Sequence, residues 1–319
     1  MPYIEKSTYQ APTKFYKNAH ISTIYVGRFR KTNPPNYQRE RLELEDGDFL
    51  DIDFVRKNPQ QAVILCHGLE GASIRAYNNT SAQYFLDNDY TVFAWNNRSC
   101  SGEMNRLPHL YHHAVIEDVD KVVQFVLNQG FERVYLLGFS MGGAQIMNYF
   151  GRMKIDPRVK AGVSVSTPIH LKDSAECLKK GFNRVYLKNF TVKISKKLKA
   201  KAEQFPGLLD WEKLKSIKTF DEVDEFFTAP LHGFVNREDY YTKASPDYSM
   251  DAIKTPNLVI NAWDDPFLGE NCYPIEYAKK HDYIYLETPD YGGHCAFPMK
   301  NSIHSFSEIR AKEFFEMFP

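Results

Sequence analysis

The sequence predicts an α/β protein with a mainly parallel, twisted β-sheet flanked by helices, and three observations lead to this class. Short, continuous apolar runs recur along the chain, as expected of strands that are buried on both faces. Helical patterns separate these runs, and such alternation favours right-handed crossovers and a parallel sheet. The alternation stops between residues 170 and 248, where no convincing strand is found.

The chain begins with a polar and aromatic segment, residues 1–37, which we interpret as an N-terminal arm. It has no apolar h-region, so we do not expect secretion. Residues 41–45 and 49–54 then alternate apolar and polar side chains, with Asp46-Gly47-Asp48 between them. This pattern predicts a β-hairpin with one face exposed to water.

Six apolar runs predict the remaining strands of the sheet. They are residues 62–65, 90–95, 134–137, 161–165, 258–260 and 283–286. The clearest helix between them, over about residues 113–129, has a single apolar stripe of valines. The α/β core accordingly comprises residues 38–169 and 249–319.

Residues 170–248 are predicted to be a helical lid inserted between two strands of the core. The segment begins with nine lysines between Lys172 and Lys201, and an acidic stretch follows around Asp221 to Glu225. Two interpretations remain open: a solvated helical face, or a lid whose basic side meets an anionic ligand or interface. The aromatic side chains of the segment are numerous enough to wall an acyl pocket.

Composition excludes several classes of protein. Lys plus Arg is 40 and Asp plus Glu is 40, and this balance argues against a nucleic-acid partner. No run approaches the ~18 apolar residues of a membrane helix, so stable membrane insertion is not expected. The five cysteines are scattered and odd in number, which favours reduced thiols in the cytoplasm. The oligomeric state stays open.

A candidate nucleophile lies in Gly138-Phe139-Ser140-Met141-Gly142, a G-x-S-x-G motif. The buried run 134–137 precedes it and a good helix start, residues 144–149, follows. Strand, sharp turn and helix are the context of a nucleophile elbow, with Ser140 at the apex of the turn. The N-terminus of that helix favours negative charge developing on the serine.

A serine hydroxyl is a weak nucleophile and needs a base and an acid that orients the base. His294 follows the last strand and two glycines, which let the loop bend the imidazole back over Ser140. The acid should follow the strand at 258–260, where Asp264 and Asp265 are adjacent. We choose Asp264, about three residues past the strand end, and keep Asp265 as the alternative.

The loop at residues 66–71 follows another buried strand and contains a His-Gly pair. Backbone N–H groups of Leu69 and Met141 are predicted to converge as an oxyanion hole. Three histidines, at positions 109, 112 and 113, cluster without carboxylate or cysteine ligands at zinc-like spacing, so we predict no metal site.

With the elbow, acid, histidine and His-Gly loop in this order, the chain resembles the α/β-hydrolase fold superfamily. Further segments resemble its YheT-like branch over about residues 15–315. They are residues 15–24, 96–102, 110–113, 230–234, 264–267 and 292–294. The resemblance implies a serine hydrolase. Some eukaryotic members of the branch act on medium-chain acyl esters or phospholipids, or transfer an acyl group to ethanol. The membrane anchor of those members is not expected here.

Together these observations predict a cytoplasmic serine esterase that cleaves short- to medium-chain carboxylic esters through an acyl-enzyme. Its partner is a small-molecule acyl ester or lipid substrate, and no cofactor is required. Two alternatives stay open: an acyltransferase that passes the acyl group to an alcohol, and a non-catalytic binding protein of the same fold.

Overall fold

The computed structural model describes residues 3–319, and the first two residues of the predicted arm lie outside this range. Within it, nine strands form one sheet in the order β1-β9-β8-β7-β6-β4-β5-β3-β2. The strands β1 to β9 are, in chain order, Tyr3–Ile4, Gln38–Glu43, Phe49–Val55, Gln61–Cys66, Thr91–Asn96, Arg133–Phe139, Val159–Val165, Asn257–Ile260 and Ile284–Glu287. Only the pairs β2–β3 and β3–β5 are antiparallel within this described range, so the predicted mainly parallel α/β fold is confirmed.

Helices flank the sheet on both faces. In chain order α1 to α12 are Ala19–Ile24, Ala76–Asp87, Ile116–Leu127, Met141–Arg152, Leu171–Leu178, Asn183–Gln204, Trp211–Ser216, Phe220–Val223, Ala229–Leu231, Arg237–Ala244, Ile275–Ala278 and Phe306–Phe315. The predicted valine stripe lies on α3 and is buried against one face of the sheet. Side chains of α2 and α12, including Phe85 and Phe315, cover the other face. Burial on both faces explains why the central strands carry continuous apolar runs.

The predicted hairpin forms from β2 and β3, but its exposed face is confined to β2. Because β3 lies between β2 and β5, its polar positions are buried as well. Asp51 and Asp53 are ion-paired with Arg41 and Arg39 of β2, at 2.8 and 2.7 Å. The prediction of a water-exposed face is therefore wrong for β3, where buried carboxylates paired with partly exposed arginines of β2 produce the alternation of apolar and polar residues.

Between β7 and β8 the chain forms α5 to α10 and no strand. We call residues 170–248 the helical insert. Its lysine-rich part forms the long helix α6, whose buried side chains are Leu187, Thr191, Ile194, Leu198 and Lys201. The basic segment is thus amphipathic, with one side packed on the rest of the protein and the other facing water.

The N-terminal segment is packed onto the core. Strand β1 pairs in parallel with β9 at the edge of the sheet. Farther along, Arg30 donates a hydrogen bond of 2.8 Å to the Ser305 hydroxyl just before α12. These contacts bring α1 against the loop that carries His294, as described below.

Among the described residues, no helix has the length and apolar character needed to cross a membrane.

Candidate active site

Ser140 occupies a strained turn between β6 and α4. Its backbone has φ 55° and ψ −118°, a conformation that non-glycine residues rarely adopt. The turn is tight enough that a Cβ placed on Gly138 would lie 2.5 Å from the carbonyl carbon of Gly142. A Cβ on Gly142 would overlap the carbonyl of Cys66 in the neighbouring strand. The two glycines therefore let strand and helix meet closely enough to hold the serine at the apex.

Ser140, His294 and Asp265 form one continuous set of contacts. The imidazole Nε2 of His294 lies 2.9 Å from Ser140 Oγ. On the other side of the ring, Nδ1 lies 3.0 Å from each carboxylate oxygen of Asp265. Asp265 is buried, and its Oδ1 also accepts the backbone N–H of Phe267 at 2.9 Å. A proton on Nδ1 would be donated to this carboxylate, which leaves Nε2 free to accept a proton from the serine.

Asp264 makes no hydrogen bond to the imidazole, whose Nδ1 is instead within hydrogen-bond distance of Asp265. The geometry therefore contradicts the predicted choice of Asp264 as the acid. Its Oδ1 accepts the backbone N–H of Gly293 at 2.9 Å, and its buried Oδ2 has no partner among the described residues. Strand-like pairing continues past β8, because Asn261 N donates to Glu287 O and Trp263 N donates to Pro289 O. The acid therefore comes one residue later than a count from the strand end predicts.

The surroundings of His294 and Asp264 shift the pKa of each of these two groups. Burial lowers the pKa of the His294 imidazole, but Asp265 and, to a smaller extent, Cys295 together raise it, to about 10. Burial raises the pKa of Asp264 to about 6, and the charge of Asp265 adds to this increase. The ring of Phe267 stacks on the imidazole with 4.0 Å between centroids and shields it from water. The site thus favours the imidazolium that forms during proton transfer.

Sequence reasoning missed the contribution of the N-terminal segment to this site. The hydroxyl Oγ1 of Thr23 in α1 accepts the backbone N–H of His294 at 2.8 Å. Gly293 has φ 58°, and a Cβ there would lie 2.7 Å from the carbonyl oxygen of Ala19. The only signal in the sequence was the resemblance of residues 15–24 to the YheT-like branch, which gave no hint of the contact. Thr23 and α1 hold the histidine loop in place.

Leu69 and Met141 lie next to Ser140 on the wall of the same cavity. Met141 is the first residue of α4, where backbone N–H groups have no acceptor within the helix. In the loop at residues 67–71, the amides on either side of Leu69 are occupied: Gly68 N donates to Tyr77 Oη at 3.0 Å, and Glu70 N donates to Tyr111 Oη at 2.9 Å. In the described part of the chain, the Leu69 amide donates to no protein group. Two backbone donors are thus available beside the serine.

A cavity of about 1070 Å³, including its open mouth, extends from Ser140 and His294 beneath the helical insert. Most of its wall is apolar, with side chains that include Phe190, Ile194, Phe220, Val223, Phe227 and Phe267. Phe227 lines the cavity, but the adjacent Phe226 does not. The Lys213 ammonium lies 5.0 Å from the centre of the Phe226 ring. An apolar chain attached to an acyl carbon at Ser140 would contact this wall.

Two members of the predicted histidine cluster, His112 and His113, line this cavity. The His112 ring lies 4.4 Å from that of His232, and His113 Nδ1 lies 2.8 Å from Tyr240 Oη. Burial lowers the pKa of His113 to about 4, so this imidazole is neutral near pH 7. Within residues 3–319, no group of three or more His, Cys, Asp or Glu side chains is arranged to hold a metal ion.

Comparison with known proteins gives the family of the chain. Residues 61–298 match the family described as the alpha/beta hydrolase fold, and the chain belongs to this family. Within it, the chain is 30% identical to the YheT protein of Escherichia coli over 90% of its own length and 86% of YheT. It is therefore a YheT-like member of the family and a carboxylic ester hydrolase.

Two further comparisons extend this result. The chain is 28% identical to phospholipase ABHD3 of Mus musculus, over 84% of this chain and 68% of that protein. Among solved structures, the esterase Pf2001 of Pyrococcus furiosus superposes with a TM-score of 0.58 at 17% identity. The superposition covers 90% of this chain and 99% of the esterase, and it supports the shared fold.

Proposed function

We propose that the protein is a serine hydrolase that cleaves carboxylic acyl esters through an acyl-enzyme on Ser140. The observation that carries the proposal is the continuous set of contacts from Ser140 Oγ through His294 to Asp265 beside an apolar cavity. Nucleophile, base and orienting acid within hydrogen-bond reach are the signature of nucleophilic catalysis. Asp265 takes the role that the sequence assigned to Asp264.

In the first half of the reaction, His294 Nε2 accepts the proton of Ser140 as Oγ attacks the acyl carbon. Asp265 keeps the Nδ1 proton directed at its carboxylate and stabilises the imidazolium. The Leu69 and Met141 amides donate to the oxygen of the tetrahedral intermediate. His294 then protonates the leaving alcohol, and in the second half it activates a water that releases the acid. These steps require no cofactor.

We propose a small-molecule acyl ester or lipid of short to medium chain length as substrate. The cavity wall is mainly apolar, and each buried methylene gains about 0.8 kcal/mol on leaving water. The name of the mouse relative, a phospholipase, supports an acyl ester of the lipid class. Side chains of the helical insert form much of the cavity wall, which supports treating the insert as a lid.

The cytoplasm is the proposed location. All five cysteines, at positions 66, 100, 177, 272 and 295, are free thiols. Proteins of a reducing compartment keep their thiols in this state. Cell fractionation with an antibody to the native protein would test the location.

The proposed function is tested with p-nitrophenyl esters of two to sixteen carbons and with a fluorophosphonate probe. We expect turnover, with an optimum at short to medium chains, and covalent labelling of Ser140. Absence of both turnover and labelling would contradict the proposal and favour a non-catalytic binding protein. The assay is repeated with ethanol present, where an ethyl ester as the main product would instead assign acyl transfer.

The pH dependence follows from the contact between His294 and Asp265. The imidazole must be neutral to accept the serine proton, and an unperturbed histidine titrates near ~6.5. Because Asp265 raises the pKa of His294, the acidic limb of kcat/KM should lie above that value. Initial rates between pH 5 and 10 on a neutral ester measure the limb. A midpoint at or below about 6.5 would show that the Asp265 charge does not act on the base.

Chain-length preference provides a test of the cavity. Phe227→Ala removes a ring from the wall and should shift the optimum toward longer acyl chains, by roughly tenfold in relative kcat/KM. The expected size is modest because one methylene discriminates by only about 1–3 kcal/mol. Phe226→Ala is the matched control, since its ring lies outside the wall. We expect neither variant to move the acidic limb.

One outcome would contradict the assignment of this cavity as the acyl pocket. Equal chain-length profiles for the two phenylalanine variants would exclude Phe227 from the acyl pocket. Replacing a buried phenylalanine by alanine costs about 3–5 kcal/mol of stability. The rates are therefore compared at a temperature where both variants are folded by circular dichroism.

A further inference from the structure

The loop that carries Leu69 is in direct contact with the helical insert. We call residues 67–71 the oxyanion loop, a name that rests on the proposed function. The ammonium of Lys197, on α6 of the insert, donates to Glu70 Oε1 at 2.9 Å. This contact joins a helix of the insert to the residue that directly follows Leu69.

Glu70 is held at several points. Its side chain is only 6% exposed, and its backbone has φ 54°, in the region that favours glycine. The hydroxyl of Tyr111 donates to Glu70 Oε1 at 2.7 Å and accepts the Glu70 backbone N–H at 2.9 Å. The guanidinium of Arg75 donates to the Glu70 carbonyl oxygen at 2.7 Å. Side chain and backbone are thus fixed together, so a shift of the carboxylate would move the backbone beside Leu69.

Among the described residues, the Glu70 carboxylate forms its ion pair with Lys197. Its side chain is 16% exposed, and its ammonium also donates to Cys100 Sγ at 3.2 Å. The same ammonium lies 5.2 Å from the centre of the Tyr111 ring. Removing one partner of a buried ion pair leaves an uncompensated charge, which is strongly destabilising. Without Lys197, the Glu70 carboxylate would turn toward water and pull the loop with it.

We propose that Lys197 is a positioning residue for the oxyanion hole. By pairing with Glu70, α6 of the helical insert keeps the Leu69 amide directed at the reacting carbonyl oxygen. The donor pair of Leu69 and Met141 is then complete only while the insert is packed on the core. The proposal also gives a function to part of the lysine-rich segment.

Lys201, one turn farther along α6, provides a matched control. It is fully buried, and its ammonium donates to the backbone carbonyl oxygens of Asn105 at 2.5 Å and Leu107 at 2.6 Å. It fastens the same helix to a different loop and has no hydrogen bond to the oxyanion loop. A variant at Lys201 therefore removes a different attachment of α6 and leaves the ion pair between Lys197 and Glu70 in place.

The experiment compares Lys197→Met with Lys201→Met under identical conditions. Removing an oxyanion donor costs about 10²–10³ in kcat, and a misdirected donor should cost part of that. We expect Lys197→Met to lower kcat by roughly 10- to 100-fold with KM within about threefold. Lys201→Met should keep kcat per folded molecule within about threefold of wild type, and Lys197→Arg should recover most of the loss. Equal losses of kcat in the two methionine variants would overturn the proposal.

Hydrogen exchange gives a readout that does not depend on turnover. The Glu70 amide, bonded to Tyr111, should exchange faster in Lys197→Met and at the wild-type rate in Lys201→Met. Unchanged exchange in Lys197→Met would overturn the positioning role even if wild type hydrolyses esters. Inactivity of wild type toward every ester would instead refute the proposed function, while the exchange result still decides whether Lys197 holds the loop. If Lys197→Met fails to fold, Glu70→Gln is measured in its place, with the same outcomes.

Discussion

Ser140→Ala is expected to lower kcat by on the order of a million-fold while the fold stays intact. The variant removes the oxygen that lies 2.9 Å from His294 Nε2, within hydrogen-bond distance. Alanine has no lone pair to attack the acyl carbon, and the oxyanion donors alone leave only a small residual rate. Because serine and alanine are equally strained at φ 55°, the elbow should keep its shape. Steady-state hydrolysis of a p-nitrophenyl ester measures the loss.

Two controls accompany this variant. Circular dichroism and thermal unfolding should match those of wild type, since the hydroxyl makes no other hydrogen bond among the described residues. Fluorophosphonate labelling should disappear together with turnover. Residual activity above a tenth of the wild-type rate would remove Ser140 from the role of nucleophile.

The sheet and the elbow could be predicted because both depend on local patterns. Strands buried on both faces must be apolar at every position, so their runs are visible without knowledge of their neighbours. The elbow requires small residues on either side of Ser140. Gly138 and Gly142 meet this requirement, and their spacing around the serine is visible in the sequence. His294 was found in the same way, from its position just after the last strand.

The parts that were missed depend on contacts between distant segments. Thr23 accepts the His294 amide across 271 residues of chain, and Lys197 meets Glu70 across 127. No local pattern encodes which segments will meet in space. The buried Asp51 was read as water-exposed for the same reason, because its partner and its place inside the sheet are set by strand order.

The adjacent aspartates allow the sharpest separation of roles. Asp265→Asn should lower kcat by roughly four orders of magnitude, because an amide that donates toward Nδ1 favours the wrong imidazole tautomer. It should also move the acidic limb of kcat/KM to lower pH, since the charge that raises the pKa of His294 is gone. Both effects are measured from pH–rate profiles of the purified variant.

Asp264→Asn is the matched control, and we expect it to cost less than about tenfold in kcat. The side chain keeps an oxygen that can accept the Gly293 N–H, so the histidine loop keeps its support. Its Oδ2 is buried without a partner among the described residues, so an uncharged amide there relieves a desolvated carboxylate. Thermal stability at neutral pH should accordingly hold or rise. A larger loss in Asp264→Asn than in Asp265→Asn would return the role of the acid to Asp264, because charge next to the loop would then matter more than contact with the imidazole.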